Sequence, residues 1–310
     1  MENEDIIVSI SCITYNHVRY IRQCLDGFLM QKADFAYEVL IHYDCSTDGT
    51  TEIIREYEVK YPNIIKPIYE SENQYQSGKP SGSAVWNYPR ARGKYIALCE
   101  GDDFWIDPYK LQTQVDFLEA NEDCSLVISD GFYFSDSEKE LKRINPIDYE
   151  SDAFVSFHDL VFEKNFLIPT ASMMFRAKYA YMPDFCLSAP VGDKPLRMWC
   201  ALNGRVYYFA KEQVAYRIGS VSSFGKKVSR DSDYAKKIYE RMESFYKAFD
   251  DYSNYIFHDD ILMLLDKEAY MLYQRIRDYK TMSMTKYFKR LPFISKFKYF
   301  IKRIIRYNIV

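Results

Sequence analysis

No run of roughly 18 consecutive apolar residues occurs in this 310-residue chain, so no segment reads as a bilayer-spanning helix. The amino terminus does not read as a secretory leader either. Met1 to Asp5 carries three acids, and the apolar run Ile6–Ile13 is too short. The seven cysteines are scattered, odd in number and without a Cys-x-x-Cys pair. With four isolated histidines they form no zinc-ligand pattern, so buried, reduced thiols of a cytosolic protein are expected. Acids are missing from one stretch, Met284 to Val310, which holds eight Lys/Arg. The remainder keeps 33 of the 41 bases against all 44 acids, a net charge of −11. An acidic body is a poor partner for nucleic acid, and none is expected.

What is present suits one sizeable domain with an extension: 48% of residues are hydrophobic and 17% aromatic. Ile6–Ile13, Tyr37–Tyr43, Ile64–Tyr69, Tyr95–Cys99 and Cys124–Ser129 read as strands. Helical patterns separate several of them, over Val18–Met30, after Ser46 or Thr47 as caps, and from about Pro108. Such alternation predicts a mostly parallel, doubly wound sheet over the first 130 residues or so. Beyond Asp130 the pattern degrades. Ala171–Arg176, Val206–Phe209 and Gln213–Arg217 read as short strands, Gly192–Leu202 as a helix, and Asp231–Tyr279 as two helices broken near Asp250–Asn254. Gln74 to Gly82 reads as a mobile loop.

The stretch with the most chemistry is Tyr95-Ile96-Ala97-Leu98-Cys99 running into Glu100-Gly101-Asp102-Asp103. A buried strand ending in glycine and paired carboxylates puts charge at the carboxyl edge of a sheet, where open α/β folds bind ligands. Adjacent aspartates repel, and hard oxygen ligands favour Mg2+ or Mn2+. The same residues also suit a plain acidic turn.

Five short motifs in order resemble glycosyltransferase family 2, the sugar-nucleotide-dependent transferases of GT-A fold. They are Val8-Ser9-Ile10 through Thr14-Tyr15-Asn16; Asp44-Cys45-Ser46-Thr47-Asp48-Gly49-Thr50; Ala91-Arg92-Gly93-Lys94-Tyr95-Ile96-Ala97; Glu100-Gly101-Asp102-Asp103; and Gly192-Asp193. The resemblance covers about residues 6–225. It implies a GT-A (Rossmann-like, mostly parallel) catalytic domain over 1–225, with a nucleotide-sugar half to about 130 and an acceptor half from 131. A helical extension over 226–283 and a basic tail over 284–310 would follow.

The resemblance further implies an inverting transfer from a UDP-sugar to a glycan hydroxyl, with Mn2+ or Mg2+ as cofactor. Thr14, Tyr15 and Asn16 would meet the nucleotide, Tyr15 stacking beside uracil, and Asp44 would accept the base N–H. Asp102 and Asp103 match the metal-and-ribose pair, Asp103 for direct metal contact. Asp193 matches the general base, and Arg92 or Arg90 would help position the nucleotide. Each has an ordinary alternative as a strand-end aromatic, turn residue or helix cap. Two departures stand out. Tyr43 occupies a place where relatives often carry an acid, and Gly219, in Tyr216-Arg217-Ile218-Gly219, stands where they often carry histidine.

In the tail, Phe293, Phe297, Phe300, Ile301, Ile304 and Asn308 share one helical face, nearly all apolar, and Lys298, Lys302 and Arg306 another. That pattern fits a helix lying on anionic lipid, or one packed on the body with a solvated basic face. With the family analogy it implies a peripheral protein on the inner face of the cell membrane and a polyprenyl-linked acceptor in bacterial surface polysaccharide assembly. Two other readings stand beside this one, a sugar-nucleotide nucleotidyltransferase and a non-catalytic carbohydrate-binding or scaffold protein. The first usually needs a glycine- and base-rich loop after the first strand, which Thr14-Tyr15-Asn16-His17 does not supply.

Overall fold

The computed structural model describes residues 5–77, 82–136, 141–144, 149–162, 168–219, 228, 231–293 and 296. Most of the basic tail and part of the Gln74–Gly82 loop lie outside the described residues. Two compact units partition the chain: Met1–Leu187 with Val191–Ser223, and Ser188–Pro190 with Phe224–Val310.

The first unit is built on one mixed sheet. Its first four long elements are β1 (Ile6–Thr14), α1 (Ile21–Leu29), β2 (Ala36–Tyr43) and α2 (Thr50–Lys60). Then come β3 (Ile65–Tyr69), the short α3 (Ser83–Trp86), β4 (Tyr95–Leu98), β5 (Phe104–Trp105) and α4 (Lys110–Ala120). The second half adds β6 (Cys124–Phe134), β7 (Lys142–Arg143), β8 (Ala153–Val155), α5 (Phe157–Val161) and β9 (Met174–Arg176). It closes with α6 (Asp184–Leu187), α7 (Asp193–Asn203) and β10 (Arg205–Arg217).

Strand order is β3-β2-β1-β4-β9-β6-β10-β5, with β7 on β6 and β8 on β10. The β3-β2-β1-β4 block and the long β6–β10 pair are parallel, while β9 joins the two blocks antiparallel. Parallel strands covered on both faces need apolar residues on both. Val8, Ile10, Val39, Ile41 and Ala97 supply one face with Phe28 and Leu111, and Ile96, Leu126, Ile128 and Phe175 supply the other with Leu196.

Three sequence expectations need correction. Val206–Phe209 and Gln213–Arg217 are one strand, β10, whose register with β6 shifts between Phe209 and Val214. Its mid-strand charges look like a turn because they serve the bulge: Lys211 pairs with Asp107 at 2.8 Å and Glu212 with Arg143 at 2.9 Å. The Ala171–Arg176 segment is a 3-10 turn at Thr170–Ser172 followed by β9 alone. Neither Ser46 nor Thr47 caps α2, whose N-cap is Gly49 without a side-chain bond; Asp48 just before it accepts Thr50 N–H at 3.1 Å and Val18 N–H at 3.0 Å.

The second unit is helical: α8 (Ser232–Tyr252), α9 (His258–Arg275), α10 (Tyr279–Met284) and α11 (Lys286–Arg290). The break between α8 and α9 follows the charged Asp250–Asn254 segment. Three helix starts are capped by side chains, Asp231, Asp278 and Thr285. Among the described residues no helix is long and apolar enough to cross a membrane.

Candidate active site at the carboxyl ends of the strands

Parallel pairing brings the ends of β1, β2 and β4 to one edge. Asp44 N–H bonds the Thr14 carbonyl at 3.1 Å, and Gly101 N–H bonds the Ile13 carbonyl at 3.0 Å. The Glu-Gly-Asp-Asp turn is thereby stitched alongside β1. Glycine at 101 is a steric demand. A Cβ there would lie 2.7 Å from Thr14 Oγ1 and 2.9 Å from His17 Nδ1. Thr14 and His17 are themselves in contact, Oγ1 to Nδ1, at 3.2 Å.

The acids of this turn crowd one another. Burial first, then Asp102 and Asp193, push the Glu100 carboxyl up to about 8. Burial first, then Asp102 and Glu100, raise Asp103 well above the usual carboxylate range. Asp103 is 2% exposed. Its Oδ1 accepts the Arg217 backbone N–H at 2.8 Å, whereas its buried Oδ2 has no hydrogen-bond partner. Asp102 lies 3.9 Å from His17 Nε2, and burial, against the pull of Asp102 and Asp48, lowers the pKa of that imidazole.

Asp193 is the first residue of α7, 30% exposed, with Arg197 one turn on at 3.4 Å. Its charge reaches the same place as the turn acids. Burial raises the Tyr216 phenol, and Asp103, Glu100, Asp102 and Asp193 all add to that rise. Burial likewise raises Tyr88, with Asp193 and Glu100 both contributing. Four carboxylates separated by up to 93 positions in the chain thus share one electrostatic neighbourhood.

The other expected residues divide. Tyr15 is half-buried, and its hydroxyl accepts from Gln76 Nε2 at 3.0 Å. Asn16, with φ of 54°, accepts Thr47 N–H at 2.8 Å, so β1's exit and the Asp44–Thr50 loop are locked together. Asp44 is buried and its oxygens accept the backbone N–H groups of Gln74 (2.6 Å) and Tyr75 (3.3 Å). Each oxygen keeps a second lone pair for a ligand. In the place of a second acid, Tyr43 accepts from Thr51 at 2.6 Å and donates to the Ser46 carbonyl at 2.8 Å.

The two arginines are not with this group. Arg92 grips the buried Glu38 through Nε and a terminal nitrogen at 2.9 and 2.7 Å, level with Ser9. Ser9 and Thr14 are five residue steps apart on β1, roughly 16 Å along the strand. Arg90 donates to the Lys66 and Ile41 carbonyls and to Asn87. The Arg-Gly-Lys motif is a packing device there, since a Cβ on Gly93 would lie 2.5 Å from Ser9 N.

Sequence reasoning gave no role to Glu100, His17 or Arg217. Glu100 stood inside the quoted motif and His17 one residue after another. Arg217 matched the arginine of the Tyr-Arg-x-His segment found in relatives, but only the departure at Gly219 drew a reading.

Residues 9–181 match the model of the family described as glycosyl transferase family 2. The chain belongs to that family. An uncharacterized protein of Mycobacterium tuberculosis strain H37Rv, Rv1520, is 34% identical over 213 residues, 68% of this chain and 58% of that protein. The chain therefore spans less than two thirds of that relative's length. TuaG of Bacillus subtilis, named as a putative teichuronic acid biosynthesis glycosyltransferase, is 36% identical over 121 residues, 38% of this chain and 44% of its own.

Among solved structures, Staphylococcus aureus TarS residues 1–349 in complex with UDP superposes with a TM-score of 0.55 at 18% identity, covering 95% of this chain and 78% of that one. The mannosyltransferase PcManGT of Pyrobaculum calidifontis, with GDP-Man and Mn2+, gives 0.51 at 13% identity, covering 93% and 86%. At such identities the likeness concerns the fold, which is the GT-A arrangement expected from the strand-end motifs, with a helical carboxyl-terminal part.

Among the described residues no three His, Cys, Asp or Glu side chains converge as a ready metal cage. A cation fits the acidic turn nonetheless. Asp103 Oδ2 is a buried hard oxygen without a protein partner, and Asp102 adjoins it. Positive charge there would offset the burial and the crowding by neighbouring acids that raise Glu100 and Asp103.

Proposed function

We propose that this protein is an inverting glycosyltransferase that moves a sugar from a UDP-sugar to a hydroxyl of a glycan acceptor. The observation that carries the reading is the Glu100-Gly101-Asp102-Asp103 turn held beside the end of β1, with a buried Asp103 oxygen left without a partner; Asp193 joins it as general base on the strength of the family motif. Family membership, and the nucleotide and metal in the TarS and PcManGT structures, support it.

In this reading Tyr15 stacks on the base and Asp44 accepts its N–H, while Thr14 and Asn16 shape the wall. Asp102 would meet the ribose, and Asp102 and Asp103 would hold Mn2+ or Mg2+ when it is bound, Asp103 offering its unpartnered Oδ2. When bound, that ion supplies Lewis-acid neutralisation of the diphosphate. Asp193, oriented by Arg197, takes the proton of the acceptor hydroxyl as its oxygen bonds to the anomeric carbon. The bond from that carbon to the diphosphate oxygen breaks, and UDP carries away the electron pair. One displacement inverts the anomeric configuration. Neither Arg92 nor Arg90 has a part in it, because both are spent on the frame.

The name of TuaG, a putative teichuronic acid biosynthesis glycosyltransferase, supports a place in cell-surface polysaccharide synthesis. A polyprenyl-linked acceptor, and attachment of residues 284–310 to the anionic inner face of the membrane, complete the proposal. The domain limits at about 225 and 283 belong to it as well. The test is release of UDP from a panel of UDP-sugars with Mn2+ and a lipid-linked glycan acceptor. Transfer with inversion is expected, and pyrophosphate chemistry or a silent panel would overturn the reading.

A further inference from the structure

Arg217 ends β10 at the edge where the acids gather, yet its side chain is only 2% exposed. Its backbone N–H donates to Asp103 Oδ1 at 2.8 Å, and its Nε donates to the Asp102 carbonyl at 2.8 Å. The terminal nitrogens go elsewhere, one to Gln23 Oε1 at 2.6 Å, the other to Asp136. The guanidinium carbon lies over the rings of Tyr20 and Phe134, 4.6 and 4.8 Å from their centroids. One planar fork thus joins α1, the end of β6 and the acidic turn.

The turn is held on its other side by β1, through Gly101 N–H to the Ile13 carbonyl at 3.0 Å. Between these two anchors the Asp103 side chain is oriented so that Oδ1 is satisfied and the buried Oδ2 is not. We propose that Arg217 is the positioning residue of the acidic pair: it does not touch the nucleotide but presents Asp103 Oδ2 to the cation. This rests on the nucleotide-and-metal reading of the preceding subsection. A bare positive charge would not do the same work, because ammonium lacks the planar, multi-directional donors that reach Asp102, Gln23 and Asp136 together.

The experiment measures Mn2+ affinity of the full-length protein, by calorimetry and by the spin-resonance signal of free Mn2+. It is run with whichever of UDP, GDP, TDP and CDP most raises the melting temperature. Groups that orient metal ligands typically contribute about 10- to 100-fold in metal affinity. Arg217→Lys is therefore expected to weaken Mn2+ binding by about that factor, with metal-free nucleotide affinity unchanged. Wild-type Mn2+ affinity in Arg217→Lys would overturn the inference and leave the functional reading standing. Absence of Mn2+ binding by the wild-type protein with every nucleotide would overturn that reading and this inference with it. Should Arg217→Lys fail to fold, Gln23→Leu decides, since it removes one partner of the fork and leaves Arg217 in place. Weakened Mn2+ binding in that variant supports the assignment, and unchanged binding overturns it.

Discussion

The same parallel strands carry carboxylates in opposite electrostatic states at their two ends. Toward the amino ends, Glu38 is buried, and burial alone would raise its pKa. The Arg92 guanidinium and N–H, with the Ser9 hydroxyl, outweigh that and hold it below the usual glutamate value. Toward the carboxyl ends, Glu100 and Asp103 are raised by burial and by the neighbouring Asp102, and one Asp103 oxygen is left without a partner. A carboxylate that serves the frame is fully hydrogen-bonded. One that is buried, crowded and underpaired is costly to keep charged without a partner, which is why the acidic turn is the candidate ligand site.

Variants at the two ends should therefore fail in different ways. The largest effect is expected for Asp193→Asn, where loss of the proton acceptor lowers transfer by ~10²- to 10⁴-fold while donor binding persists. Steady-state rates beside donor calorimetry check it, and an active variant would remove Asp193 from the chemistry. Next, Asp103→Ala should abolish the metal-dependent part of UDP binding, read as the loss of any difference between Mn2+ and chelator in calorimetry.

At the opposite end Arg92→Ala should act on the fold alone, costing about 1–3 kcal/mol in urea denaturation because charge-assisted bonds to a buried acid are lost. Its Mn2+ and UDP affinities should match the wild type. The smallest effect is a change of slope with pH. Because Glu38 titrates below its ordinary 4.5 when folded, its contribution is complete above that value and is lost as pH falls through the folded pKa. Denaturation midpoints followed downward from pH 4.5 should fall less steeply in Arg92→Ala than in the wild type.

Much of the first half was legible before any coordinates. β1, β2 and β4 announce themselves as apolar runs that stop at Thr14, Asp44 and Glu100-Gly101-Asp102-Asp103, and parallel strands must place those stops on one edge. The second half was less so. β10 reads as two pieces because Lys211 and Glu212 interrupt its alternation for the sake of a bulge. The arginines near the third motif read as nucleotide-positioning groups because a sequence shows a charge without its partner. Arg92 already has Glu38, and Arg90 has backbone carbonyls.

The amino-acid sequence by itself determined the elements, the family and the acids available, since these follow from local periodicity and from short motifs. Which acids are paired with an arginine and which are left crowded and underpaired was decided only by the tertiary structure. Burial and hydrogen bonding act between groups brought together from distant positions: Arg92 reaches Glu38 across 54 residues, and Arg217 reaches Asp103 across 114.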